Sequence, residues 1–326
     1  MSKAPLAVLL CNLGTPTAPT PAAVRKFLKP FLSDPRVVEV PKPIWWLILN
    51  CFILPFRPKP VAEGYQALWQ EFGDSPLRLY SESLVKQLND YYAQSILVDY
   101  VFTYSDPLLD SQLDYYQQKA ERILLIPMYP QYSCSTTAAM YDQLGRYQAK
   151  RRNCIDAYII KDYYQHMTFR QALANSIQDY WQENGRSEHL LISYHGVPKA
   201  YYQKGDPYYE QCIETSQQLA DDLSLKPGSY TTSFQSRLGK AEWLKPYTDK
   251  TVEALAEKGF KTIDVVCPSF SVDCLETIEE IAEENKGYFL AKGGEKLSLI
   301  PCLNDSAGQI ELLKKLITPF FNDEKK

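Results

Sequence analysis

The sequence predicts an α/β protein built as two similar domains, each a four-stranded parallel sheet flanked by helices. Three observations carry that prediction. Short apolar runs alternate with helical patterns along the whole chain. Most of those runs are continuous rather than alternating, as expected for parallel strands covered on both faces. They also divide four and four between the two halves of the chain.

In chain order, Met1–Pro5 is too short and polar for a signal peptide, so the run Leu6–Cys11 is read as the first strand. Helical stretches follow at Thr20–Leu32 and Tyr80–Tyr92, then strand candidates at Ile96–Phe102 and Ile123–Met128. The helical stretch Thr136–Lys150 and the strand Ala157–Lys161 complete the first half. The second half opens with the helix Thr168–Glu183. Strands at Leu190–Tyr194, Ser229–Phe234, Ile263–Cys267 and Leu297–Pro301 then alternate with helices at Tyr208–Leu223, Pro246–Lys258, Asp273–Asn285 and Gly308–Ile317. This rhythm implies right-handed crossovers and a doubly wound architecture. The boundary falls near Thr168–Gly185, giving domains 1–170 and 171–326. No linker marks it, so two domains packed along a cleft are expected.

Composition narrows the function. Of 326 residues, 45% are apolar and 23% charged, which is ordinary globular usage and excludes a disordered chain. The net charge is −4, from 35 basic and 39 acidic residues, which argues against nucleic acid as a partner. The eight cysteines are scattered with no CxxC pair, the pattern of free thiols in a reducing compartment; the cytoplasm is the default, and no structural zinc site is signalled. No GxGxxG follows the first strand, and neither GxxxxGK[ST] nor GxSxG occurs, so nucleotide binding and α/β-hydrolase chemistry lack support. Ile44–Phe56 (IWWLILNCFILPF) is too short to span a bilayer. It reads either as a half-buried helix or as an apolar lip, with paired Trp and flanking cations suited to a membrane surface or a greasy ligand.

In open parallel sheets ligands sit beyond the carboxyl ends of the strands, so chemistry is sought there. There are three histidines, and His166 and His189 read as surface residues in polar surroundings. His195 ends a strand, where it could be a general base, a metal ligand or a loop residue. In Asp273–Asn285, Glu276, Glu280 and Glu284 are spaced i, i+4, i+8 and share one face of an expected α-helix. That face is either solvated or a carboxylate ladder for cations or protons; one His and one Glu near a cleft form an incomplete metal site with open positions. Tyr104, Tyr129, Tyr132, Tyr194, Phe234, Trp243 and Phe270 cluster in strand-end segments, as core packing or as the walls of a cleft for a large flat ligand.

These segments resemble the ferrochelatase family over nearly the whole chain. The shared motifs include Asn12–Pro16, Phe31–Asp34, Tyr129–Thr136, Ser193–Gly196, Gly205–Tyr208, Phe234–Arg237, Trp243–Leu244 and Asp273–Thr277. The resemblance implies two Rossmann-like domains of the class II chelatase fold, and insertion of ferrous iron into protoporphyrin IX to form protoheme. It assigns His195 and Glu276 to catalysis and the metal, Glu280 and Glu284 to a relay, and Leu13, Tyr104, Trp243 and Phe270 to porphyrin contacts. Ile44–Phe56 would be the apolar lip of the pocket, able to meet a membrane. Iron is a substrate, and no cofactor is expected to be bound permanently. Cys274 stands where many members have His, and a thiolate there would be a softer ligand. No cysteine follows Cys302, so no 2Fe–2S cluster of the family's C-terminal kind is expected. Leu13, where coproporphyrin-using members often have Tyr, favours protoporphyrin. Beside this stand a related chelatase for another metal or tetrapyrrole, and a non-catalytic tetrapyrrole carrier.

Overall fold

The structure, a computed structural model, describes residues 3–93, 95–239 and 241–321. The chain divides into two compact units. The first gathers the chain up to Tyr129, Ser133–Asp162 and the part from Leu313; the second holds Pro130–Tyr132 and Tyr163–Leu312. The division therefore falls at Asp162/Tyr163 rather than at 170/171, and the end of the C-terminal helix Ala307–Phe321 groups with the first unit.

In the first unit, strands β1 (Ala4–Asn12), β2 (Leu97–Phe102), β3 (Ala120–Pro127) and β4 (Asp156–Ile159) form a parallel sheet in the order β2-β1-β3-β4. In the second, β5 (His189–His195), β6 (Tyr230–Gln235), β7 (Thr262–Val266) and β8 (Lys296–Leu299) repeat that order as β6-β5-β7-β8. The continuous apolar runs are the reason. Leu6–Leu10 and Ile123–Ile126 are buried on both faces, as are Leu190–Ile192. Each fully buried aliphatic side chain of this kind contributes roughly 1.5–3 kcal/mol. The first strand of each sheet is flanked by the second and third, so the loops that leave β1 and β5 open at the centre of the sheet's carboxyl edge, where ligands collect.

Pro58–Phe72 and Leu109–Tyr116 are among the helices outside the predicted helical stretches. Pro58–Phe72 carries prolines in its first turn, where a missing N–H costs nothing. Leu109–Tyr116 is only eight residues long, but Leu109, Leu113 and Tyr116 still form a buried stripe. The stretch Asp273–Asn285 is not one α-helix. An α-turn at Leu275–Ile278 passes into a π-helical segment, Glu280–Asn285, before helix Lys286–Ala291. The wider turn lets the Glu284 amide reach the Glu279 carbonyl at 3.1 Å and the Asn285 carboxamide reach the Glu280 carbonyl at 2.7 Å.

His189 is not a surface residue. As the first residue of β5 it is buried: its Nε2 is 2.9 Å from Thr231 Oγ1 and its ring packs on Phe260, with centroids 4.9 Å apart. Burial pulls its pKa below the usual histidine value. His166 instead caps the helix Met167–Asn184, its Nδ1 accepting from Thr168 N.

Ile44–Phe56 is half-buried, with part of its apolar surface left exposed. It runs as helix Lys42–Ile48, π-helical Leu49–Ile53 and helix Leu54–Phe56. Leu49 and Leu54 are buried and Trp45 Nε1 donates to the Leu32 carbonyl, which anchors one side. Ile44, Trp46, Leu47, Phe52 and Phe56 are 52–72% exposed on the other. Among the described residues no helix is long and apolar enough to cross a membrane.

Candidate active site

In the second unit, β5 carries a fully buried apolar run and delivers His195 at its last position, half-buried at the strand end. Its Nδ1 lies 2.6 Å from the Gly196 carbonyl oxygen. A carbonyl only accepts, so Nδ1–H is the donor, and Nε2 is the ring nitrogen left over for other chemistry. Imidazoles that ligate metals are oriented by this kind of tether on the other nitrogen. The His195 amide donates to Ser269 Oγ at 3.2 Å, and the Phe270 ring meets the imidazole edge-on at 6.2 Å.

Gly196 is dictated by space rather than by its dihedral angles. A Cβ there would stand 2.6 Å from the Gln235 carbonyl oxygen and 3.4 Å from Trp243 Cε3. Trp243 is thereby held beside the His195 loop, its own Nε1 donating to the Leu238 carbonyl at 3.0 Å.

The acidic segment follows β7. Glu276 sits in the α-turn, where its main-chain carbonyl accepts from Gln235 Nε2 at 2.6 Å. Glu280 is clasped by Ser236, whose amide donates to Oε1 at 2.7 Å while its hydroxyl donates to Oε2. Ser236 takes a left-handed φ of 67° to do so, a strained conformation for a residue with a Cβ. Burial pushes the Glu280 carboxyl above its usual range, while Ser236 and the charge of His195 pull the other way and Glu276 adds to the rise. His195 and Glu276 thus both act electrostatically on Glu280. Glu279, outside the i, i+4 face, is pushed up to about 7 by burial and then by its glutamate neighbours, Glu284 foremost. Glu280 and the exposed Glu284 line one cavity of about 550 Å³ with Gln235, Ser236, Arg237 and Tyr288. Among the described residues, no group of three or more His, Cys, Asp and Glu side chains is arranged to hold a metal ion.

Cys274 is not placed as a thiolate ligand. It is buried, its side chain caps the α-turn that carries Glu276, and burial holds the thiol well above its usual pKa.

In the first unit, half-buried Leu13 follows β1 and its carbonyl accepts from Tyr104 N at 3.0 Å. Tyr104 is buried, donates from Oη to Asp34 Oδ2 at 3.0 Å and packs on Phe31 at 5.2 Å. It lines a cavity of about 650 Å³ with Phe27, Pro30, Lys26 and Arg146. The second unit therefore brings together His195, Glu276, Glu280, Trp243 and Phe270; Leu13 and Tyr104 belong to the first. Gln235 and Ser236 were missed as site residues, although their signal was present in the strand-end segment Gln235–Arg237.

The Ferrochelatase family profile matches residues 5–319. The ferrochelatase of Marinobacter nauticus is 47% identical over 317 residues, covering 96% of this chain and 85% of that protein. That of Vibrio cholerae serotype O1 is 46% identical, covering 96% and 97%. Among solved structures, SirB from Bacillus subtilis with Fe3+ superposes with a TM-score of 0.54 at 11% identity, covering 98% and 97%, and supports the fold alone. Two matched four-stranded sheets, a profile over nearly the full length and relatives close to half identical place this chain in the ferrochelatase family, the metal chelatases that insert iron into protoporphyrin in heme synthesis.

Proposed function

We propose that this chain metallates protoporphyrin IX with ferrous iron through His195 and Glu276. The observation that supports it is the Nδ1 tether of His195, which leaves Nε2 free beside an acidic segment. Metallation releases two pyrrole protons as the metal enters, so the site needs a base and a route outward. His195 Nε2 takes a pyrrole proton or first holds iron, and Glu276 assists from its turn. Glu280 and Glu284 pass protons or cations along the cavity they share, with Glu279, its pKa near 7, able to exchange protons at neutral pH. Trp243 and Phe270, beside His195, contact the macrocycle; the assignment of Leu13 and Tyr104 to porphyrin rests on the family resemblance alone. A site that binds a bent ring better than a flat one lowers the barrier by exposing nitrogen lone pairs.

The test is anaerobic mixing of the purified chain, protoporphyrin IX and Fe(II), followed by absorbance. The chain is expected to show no iron–sulfur absorption beforehand and then to convert the free-base spectrum to that of heme. An unchanged free-base spectrum would mean a carrier, and faster turnover with cobalt on another tetrapyrrole would mean a different chelatase.

The exposed side of Ile44–Phe56, between Lys42 and Arg57–Lys59, supports a cytoplasmic enzyme that meets the membrane surface. The chain is expected to co-sediment with phosphatidylcholine vesicles containing phosphatidylglycerol, and the Trp46→Glu, Phe52→Glu double variant is not. Equal sedimentation of both would remove the lip from membrane contact.

A further inference from the structure

Between the strand that ends in His195 and the turn that carries Glu276 lies a buried carboxamide with no role in the chemistry above. Gln235 is the last residue of β6, the register partner of His195, and only 2% exposed. Its main-chain carbonyl accepts from Gly196 N at 2.8 Å, which holds the backbone next to His195. Its side chain reaches the two neighbouring segments. Oε1 accepts from Ser193 Oγ on β5 at 2.7 Å, and Nε2 donates to the Glu276 main-chain carbonyl at 2.6 Å. Ser193 is itself backed by Thr248 Oγ1 at 2.9 Å, and Thr248 by Ser233 at 2.8 Å, so the strand end of the link is a closed hydroxyl network.

A buried amide is expensive unless both ends are bonded, and a methionine would fill a similar volume without that cost. Here both ends are bonded, and each partner segment carries a residue of the site. The adjacent Ser236 extends the pattern by clasping the Glu280 carboxylate.

We propose that Gln235 is a positioning residue for metallation: its carboxamide ties the β5 strand to the Glu276 main chain and so sets the geometry between the His195 imidazole and the Glu276 carboxylate. The proposal rests on the reading of those two residues as the metal-facing pair. Pairs of this kind must be held to within about half an ångström, and supporting hydrogen bonds are what hold them.

The test uses the full-length chain and two substitutions. Gln235→Met keeps bulk and removes both side-chain bonds. Gln235→Glu keeps the Ser193 acceptor but sets a carboxylate oxygen against the Glu276 carbonyl. Both are expected to lower kcat about 10–100-fold and to raise KM for Fe(II), with the porphyrin Kd within about twofold of the parent. A purely structural role would weaken porphyrin binding and kcat together. Gln235→Met with parental kcat at an unchanged thermal midpoint overturns the proposal. Should Gln235→Met fold poorly, Ser193→Ala removes only the strand end of the link; it is expected to lower kcat several-fold at constant porphyrin Kd, and a parental kcat there overturns the proposal equally. His195→Ala separates the two levels. If it loses turnover while the Gln235 variants keep theirs, the positioning inference fails and the metal-facing reading stands. If it keeps turnover, the metal-facing reading itself fails.

Discussion

Replacing His195 with alanine is expected to lower metallation turnover by about 10²–10⁴-fold, the range a positioned general base contributes. The imidazole is held on its Nδ1 side by the Gly196 carbonyl at 2.6 Å, with Nε2 left as its free nitrogen. Glu276 and the clasped Glu280 would remain, but the ordinary carboxylate pKa lies well below that of imidazole, so a carboxylate is a poorer proton acceptor at neutral pH. The fold should survive, because His195 is half-buried at a strand end and the core run of β5 ends before it. Protoporphyrin fluorescence quenching and a thermal melt check that the variant is folded and binds. Near-parental turnover with both intact would remove His195 from the chemistry.

Gly196→Ala is expected to damage stability and activity together, through one methyl group. Its Cβ would stand 2.6 Å from the Gln235 carbonyl oxygen, a backbone atom that Gly196 N already holds at 2.8 Å. The strands cannot part there without losing that hydrogen bond, and Trp243 Cε3 at 3.4 Å closes the other side. Overpacking of this kind costs about 1–3 kcal/mol. For a unit of this size that is a fall of several degrees, about 2–4 °C per kcal/mol, in the thermal midpoint. Turnover should fall as well, because the same shift moves the carbonyl that orients His195 and the residue that contacts Glu276. The control is Gly145→Ala in the helix Thr137–Ala149, where a Cβ meets nothing within 4 Å. That substitution is expected to be neutral or slightly stabilising. Equal melts for the two variants would show that the close approach at Gly196 carries no weight.

The six glutamate and aspartate positions from Asp273 to Glu284 illustrate where pattern reading stops. Their spacing places Glu276, Glu280 and Glu284 in a row on an ideal α-helix, and Glu280 and Glu284 do share a cavity. The π-turn that begins at Glu280 changes the geometry from there on, and Glu279, outside the row, has the carboxyl pushed up to about 7. Cys274 was legible as a thiol two residues before Glu276. That it caps the turn as a neutral group depends on burial, which spacing does not report.

The sequence by itself determined the eight strands, the equal division between two sheets, the placement of His195 at a strand end and the family. Each of these is written in local apolar runs or contiguous motifs, and a strand covered on both faces must be apolar wherever it folds. Only the tertiary structure decided which partners those residues meet. Ser193, Gln235 and Glu276 stand about forty residues apart along the chain and join through two hydrogen bonds, so no local pattern could pair them. The same holds for Ile44–Phe56, whose apolar character was plain. Which of its side chains face the protein and which face solvent was settled by the helix it packs against.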